Sequence, residues 1–237
     1  MTSFGNAKWC FFLFGSDYEM VFEKINPLEI EKESMKIIEN EMRHSFLFSP
    51  EEKLIVKRVI HATADFDYEL NLKFSSNAVE SGIHALLQKG VIITDTHMAE
   101  SGISKPALKA LGCEVHCYIS DLDVAEEAKN KGYTRAIAAI NKAASLSKDR
   151  PLIFAIGNAP TALIHLSELI NDGKINPQLV IGAPVGFVNI LSSKKMIMQC
   201  KVPYIVADGR KGGSNVVAAI CNAMLYQVYD RNKGERC

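Results

Sequence analysis

From about residue 90 onward the chain repeats one pattern: a short apolar run followed by a helix-like stretch. The runs are VIITD (91–95), EVHCYI (114–119), PLIFAIG (151–157), LVIGAP (179–184) and PYIVAD (203–208). They carry no sustained apolar–polar alternation, as a strand with one face in water would. Such runs, separated by helical segments, indicate parallel strands buried on both faces. The pattern predicts an α/β layered fold with a mainly parallel sheet of about five strands, flanked by helices and joined by right-handed crossovers.

Two helices are expected before the sheet. NPLEIEKESMKIIENEM opens with Asn26 as N-cap, Pro27 at the first helical position and Glu29 three residues after the cap. Its apolar stripe runs Ile30, Ile37 and Ile38, with Ser34 between them at helical spacing. SPEEKLIVKRVIHATAD combines Ser49, Pro50 and Glu52 into a capping box. Further on, SDLDVAEEAKNKGYTRAIAAINKAA reads as two helices, broken at Lys131–Gly132 and recapped by Thr134. No Pro/Gly/Ser-rich linker divides the chain, so residues 25–237 are expected to form one domain behind an arm of residues 1–24.

That arm holds the apolar run AKWCFFLFGSDY. It is too short to span a bilayer, and it lacks the basic start and small-residue cleavage site of a signal peptide. A packing arm and a cytoplasmic protein, with no membrane partner, are the expectation. Lys plus Arg number 27 and Asp plus Glu 27, a balance that argues against a nucleic-acid binder relying on a broad basic surface. Six cysteines, at 10, 113, 117, 200, 221 and 237, are too scattered for a disulfide framework and suit a reducing compartment. CEVHC invites a metal reading through Cys113, His116 and Cys117. A structural zinc needs a second close ligand pair, and none appears, so a buried strand is expected there and no metal.

The strand exits carry the first functional information, because ligands of open α/β sheets bind beyond the carboxyl ends of the strands. The exits are Asp95, Ser120–Asp121, GNAPT (157–161), GAPVG (182–186) and DGRKGGS (208–214). Three are Gly-rich and lead into helices, an arrangement that offers backbone N–H groups and a helix dipole to anions. GRKGGS is no Walker loop and G-x-G-x-x-G is absent, which counts against a nucleotide-dependent enzyme. A multiply carboxylated ligand fits better. The candidate contacts are Asp95, Gly157, Asn158, Gly186, Gly212, Gly213 and Ser214, with Lys194, Arg210 and Lys211 as either cationic contacts or solvated surface.

His61 is the one candidate acid. It lies three residues from Arg58, so the two share a helix face. It also sits near a helix C-terminus, where the dipole favours a cation, with Asp65 four residues on to stabilise that form. From spacing alone, a half-buried structural histidine is the stronger reading. No G-x-S-x-G elbow exists, and no other histidine pairs with a nucleophile.

IVKRVIHATAD, IGNAPTAL, GAPVGFVN…SK and DGRKGGS…AA..NA, in this order, closely resemble the precorrin-8X methylmutases of cobalamin biosynthesis. The resemblance runs from about Asn26 to about Tyr226. It implies an isomerase that moves a methyl group from C-11 to C-12 of a tetrapyrrole, giving hydrogenobyrinate or, with cobalt, cobyrinate. It further implies a homodimer, no separate redox cofactor, His61 as general acid at the ring C nitrogen, and Ser34 and Arg58 as substrate contacts. Three positions depart from the family pattern: Ala64 where many relatives have Gly, Ser192–Ser193–Lys194 without the family's acid, and His97. A non-catalytic corrinoid carrier is the competing reading, distinguished by turnover rather than by binding.

Overall fold

The computed structural model describes residues 27–146 and 149–234, so the N-terminal arm and the Asn26 cap lie outside the described residues. Helix α1 (Pro27–Glu41) is followed by a 3-10 turn at Ser45–Leu47 and by α2 (Pro50–Thr63). The expected capping box is formed. Ser49 Oγ accepts from the Glu52 amide at 3.2 Å, and the Ser49 amide donates to Glu52 Oε2 at 2.9 Å. The two helices run antiparallel, as their ion pairs show. Glu31 near the start of α1 meets Arg58 at 2.7 Å, whereas Glu39 near its end meets Lys53 and Lys57 at 2.6 and 2.8 Å. The apolar stripe expected on α1 is buried only in part. Ile38 enters the core, while Ile30 and Ile37 remain about half exposed at 51% and 49%.

The rest of the chain runs α3 (Tyr68–Asn71), β1 (Leu72–Phe74), α4 (Ala78–Leu87), β2 (Val91–Thr94), α5 (His97–Gly102), α6 (Lys105–Leu111) and β3 (Glu114–His116). It continues with α7 (Leu122–Lys131), α8 (Arg135–Leu146), β4 (Leu152–Ile156), α9 (Pro160–Asn171), β5 (Leu179–Gly182), α10 (Ile190–Gln199), β6 (Tyr204–Ala207) and α11 (Ser214–Gly234). The break between α7 and α8 falls where the sequence places it. Gly132 takes a left-handed φ of 70°, and Thr134 Oγ1 accepts from the Ile137 amide at 3.3 Å.

The sheet has six strands in the order β1-β6-β5-β4-β2-β3. The five expected strands are mutually parallel, and the sixth, β1, pairs antiparallel with β6 at the edge, Leu72 opposite Ala207. With three residues, β1 is too short to show a period. β3 is also shorter than its apolar run, ending at His116. Strand β2 has β3 on one side and β4 on the other, so the chain moves outward from β2 to β3 and then reverses past β2 to reach β4. That reversal creates a crevice at the carboxyl ends of β2 and β4.

Successive residues on the strands divide the core into two layers, as a pleat requires. Ile92, Ile153, Ala155, Ile181 and Ile205 face α2, α4, α5, α6 and α11, while Val91, Ile93, Phe154, Ile156 and Val180 face α8, α9 and α10. Helix α11 is the central helix of the first layer. Val216, Val217, Ile220, Cys221, Met224 and Leu225 are buried along it, and α2, α4, α5 and α6 pack around it. This packing fixes α2, and with it His61, relative to the sheet.

Candidate active site

Asp95 stands at the crevice, one residue beyond β2. Its carboxylate accepts the amides of Gly157 at 2.8 Å, Asn158 at 2.8 Å and Ala159 at 2.6 Å, all from the loop after β4. Burial pushes the Asp95 carboxyl above the ordinary carboxylate value, against the pull of those three amides. The amides expected to be free for an anion are therefore held inside the protein. The crevice is closed by a side chain of the chain itself.

The glycines of the neighbouring loops serve the same close packing. A Cβ on Gly157 would lie 2.9 Å from Val217 Cγ2 and 3.0 Å from the Gly213 carbonyl oxygen. Gly212 has a φ of 158° and presses against the Ala183 carbonyl, which also accepts the Gly213 amide at 2.8 Å. These loops are thus sutured to one another, β4 exit to β6 exit and β5 exit to β6 exit. Ser214 joins the suture through its hydroxyl, 2.7 Å from that of Thr96. The Gly186 amide donates to the Arg210 carbonyl at 3.3 Å.

Lys194 differs most from its expectation as a ligand contact or solvated cation. It has no accessible surface, and its ammonium donates to the carbonyls of Gly209 and Lys211, both at 2.8 Å. Burial pulls its pKa down to about 8, with Asp208 opposing. The side chain holds the DGRKGGS loop from within. Lys211 holds the same loop from outside, its ammonium 2.6 Å from both Asp65 and Asp67. At these exposures such pairs contribute at most about 1 kcal/mol. Their effect is positional: they bind the β6 exit to the turn that follows α2.

His61 lies in the last turn of α2, one helical turn before that clamp. It is solvent-exposed, and its imidazole has no hydrogen-bond or ion-pair partner among the described residues. The half-buried, backbone-bonded histidine read from spacing is not what forms. Asp65 does not serve it either. Burial pushes the Asp65 carboxyl up, but Lys211 and the Asp67 amide outweigh that and hold it below its ordinary value. Arg58, one turn earlier, donates to Glu31 at 2.7 Å and stacks over the Tyr226 ring at 5.1 Å. The Ser34 hydroxyl is half-buried and donates to the Ile30 carbonyl at 2.8 Å, three residues along α1 from Glu31.

Groups left facing outward at the sheet edge are few. Asn158 is exposed beyond its amide bond to Asp95, and the exposed Arg210 guanidinium lies 5.6 Å over the ring of Phe187. Phe187 and Val188 are themselves 83% and 77% exposed, an apolar tongue between β5 and α10. Residues of the CEVHC stretch do not converge. Cys113 Sγ donates to the Leu86 carbonyl at 3.2 Å, and His116 pairs with Glu114 and stacks on Tyr118. Sequence reasoning missed the Lys211 clamp and the Tyr226 platform. The only signal for the clamp was the doublet of acids at 65 and 67.

A family model described as precorrin-8X methylmutase matches residues 29–227. The cobalt-precorrin-8 methylmutase of Leptospira interrogans is 44% identical over 87% of this chain and 96% of its own. The precorrin-8X methylmutase of Pseudomonas aeruginosa is 38% identical over 73% of this chain and 82% of its own. Among solved structures, the precorrin-8X methylmutase of Thermus thermophilus superposes with a TM-score of 0.78 at 38% identity, covering 86% of this chain and 98% of that one.

Proposed function

The chain belongs to the precorrin-8X methylmutase family, and on that premise we propose that it performs the family reaction with His61 as its general acid. The enzyme is an isomerase of cobalamin biosynthesis acting on a tetrapyrrole. In this reading the methyl group on C-11 migrates to C-12 as a 1,5-shift, and no atom is gained or lost. His61 protonates or hydrogen-bonds the ring C nitrogen, which draws electron density from the macrocycle and lowers the barrier to migration. Arg58, three residues away on the same helix, exchanges Glu31 for a peripheral carboxylate of the substrate in this reading.

The observation that carries the assignment is the state of His61: accessible, unpartnered among the described residues, and fixed on a helix whose other polar side chains are engaged. A buried histidine that stabilised the fold would have a partner. Its exposure also supports a homodimer. A catalytic acid works best with water excluded, and Ile30, Ile37 and Leu54 leave apolar surface on the α1–α2 pair for a second copy to cover. No helix of the described residues is long and apolar enough to cross a membrane, and the four described cysteines are free thiols, which supports a cytoplasmic setting.

One experiment tests these points together. Wild type and His61→Ala are mixed anaerobically with precorrin-8X, and separately with its cobalt form, while the visible spectrum is followed and the product confirmed by mass. The variant is expected to bind the macrocycle but convert it about 10²- to 10⁴-fold more slowly, the usual worth of a positioned acid. Conversion at the wild-type rate would remove His61 from the chemistry. Binding of both substrates without turnover by wild type would favour the carrier. Sedimentation of the same preparation reads the oligomer, and a monomer at assay concentration would refute the dimer.

A further inference from the structure

His97 has no place in the reading above, yet it stands in a distinctive setting. It opens α5 at the carboxyl end of β2, with Glu100 three residues on along the same helix. Cys117 follows β3, the parallel neighbour of β2. A ring nitrogen of His97, a carboxylate oxygen of Glu100 and the sulfur of Cys117 all lie within 4.8 Å of one another. Among the described residues no other group of His, Cys, Asp and Glu side chains converges in this way.

We propose that His97, Glu100 and Cys117 form a binding site for one divalent transition metal ion of the zinc and cobalt class. The donor set is one imidazole nitrogen, one carboxylate oxygen and one thiolate, a mixture that suits borderline-soft ions and not magnesium or calcium. Bonds of about 2.0–2.3 Å in a tetrahedral ion set its ligands roughly 3.4 Å apart. His97 Nδ1 and Glu100 Oε2 are already 2.9 Å apart. The Cys117 sulfur, within 4.8 Å of both, has the remaining distance to close on the ion.

The imidazole is oriented for the task. Its Nε2 lies 2.9 Å from Ser120 Oγ, on the exit of β3. With Nε2–H donating to that hydroxyl, the Nδ1 lone pair is left for the ion, and an outer partner of this kind usually accompanies a metal-bound histidine. The helix that presents His97 and Glu100 is itself held. Thr96 Oγ1 accepts the Ala99 amide at 3.1 Å, and Lys105 donates to the Glu100 carbonyl at 2.6 Å. The carboxylate of Asp95 is spent on three amides and stays outside the ligand set.

Binding displaces the Cys117 thiol proton to solvent and leaves one coordination position open. That position faces outward, because His97 is exposed while Cys117 is buried. Water or an anionic oxygen fills it. The ion would tie the exits of β2 and β3 together, where the other strand exits are tied by Asp95, Lys194 and close glycine contacts.

The test titrates the full-length, reduced protein anaerobically with Co²⁺ alone and follows the absorption spectrum, with Zn²⁺ as competitor. One equivalent is expected to produce a thiolate-to-cobalt charge-transfer band together with the intense visible bands of a tetrahedral ion, and Zn²⁺ to abolish both. Cys117→Ser is expected to lose the charge-transfer band. His97→Ala, at an exposed position that the fold tolerates, and Glu100→Gln are each expected to weaken binding at least tenfold. Ser120→Ala, which removes only the outer partner, should cost about tenfold. Absence of the band in wild type overturns the site. So does a band that survives either Cys117→Ser or His97→Ala unchanged, since the ion would then sit on other thiols.

Discussion

The loops at the carboxyl ends of β2, β4, β5 and β6 and the last turn of α2 are both rich in polar groups, but they use them in opposite ways. At the sheet edge nearly every polar group singled out is satisfied from within: Asp95 by three amides, Lys194 by two carbonyls, Ser214 by Thr96. On α2, His61 is exposed and unpartnered among the described residues, and Arg58 keeps part of its guanidinium accessible beside it. The sheet edge therefore acts as a rigid frame, and the proposed chemistry falls on the helix that the frame positions. A buried, saturated network resists change in shape, whereas a catalytic group must remain unsatisfied until substrate arrives.

Removing the centre of the frame should have the largest effect. Asp95→Ala leaves the Gly157, Asn158 and Ala159 amides without an acceptor in a largely buried position, at about 1–3 kcal/mol for each group that water does not reach. A total of about 3–5 kcal/mol is expected, read as a lower denaturation midpoint with an unchanged m-value. An Asp95→Ala protein of wild-type stability and impaired substrate binding would break the comparison, because Asp95 would then be a ligand contact.

The contrast also explains what was legible in the sequence. The Ser49–Glu52 capping box and the Lys131–Gly132 break were readable because they rest on contacts within a few residues, and all five parallel strands because each is a continuous apolar run set off by helical segments. β1 was not, because three residues carry no period and its pairing with β6 spans the whole domain. The strand exits were located correctly as loops, but a Gly-rich exit reads the same whether its amides face a ligand or a buried carboxylate. Partners at such separations in sequence, Asp95 with Gly157 or Lys211 with Asp65, leave no local trace. From spacing His61 read as a half-buried structural histidine, and only the order of long motifs around it pointed to a role.

Lys194→Met should have the next largest effect, and its pH dependence sharpens the comparison. The substitution orphans the Gly209 and Lys211 carbonyls but also removes a buried charge, so about 1–3 kcal/mol is expected near neutral pH. The folded-state pKa of Lys194 is about 8, below the ordinary 10.5. Between those values the unfolded chain holds a proton that the folded protein has released, so wild-type stability gains with rising pH across that window. The neutral amine still has two N–H groups for the two carbonyls. Wild type should therefore gain on Lys194→Met between about pH 8 and 10 when the denaturation midpoints of both are compared. Parallel curves would mean that the ammonium titrates as it does in water and that the loop is open.

Ala64→Gly should have the smallest effect and acts on the other side of the comparison. Ala64 ends α2 in the left-handed region, φ 52° and ψ 31°, with its amide donating to the Ile60 carbonyl at 2.7 Å. Many family relatives carry Gly here, and the structure supplies the reason: a Cβ in that conformation costs about 1–2 kcal/mol. Glycine relieves this strain but brings extra freedom to the unfolded chain, about 0.5–1 kcal/mol in the opposite sense. The net expectation is a gain of about 0.5–1 kcal/mol, seen as a small rise in the thermal midpoint. Ala64 is exposed, and the Lys211 clamp uses the side chains of Asp65 and Asp67 and not its methyl group. Turnover should therefore change by less than about twofold, because a shift of that size alters the barrier by under about 0.4 kcal/mol. A large loss of turnover with the expected gain in stability would mean that the strained cap itself orients His61, and the division between a rigid frame and an open helix would have to be redrawn at residue 64.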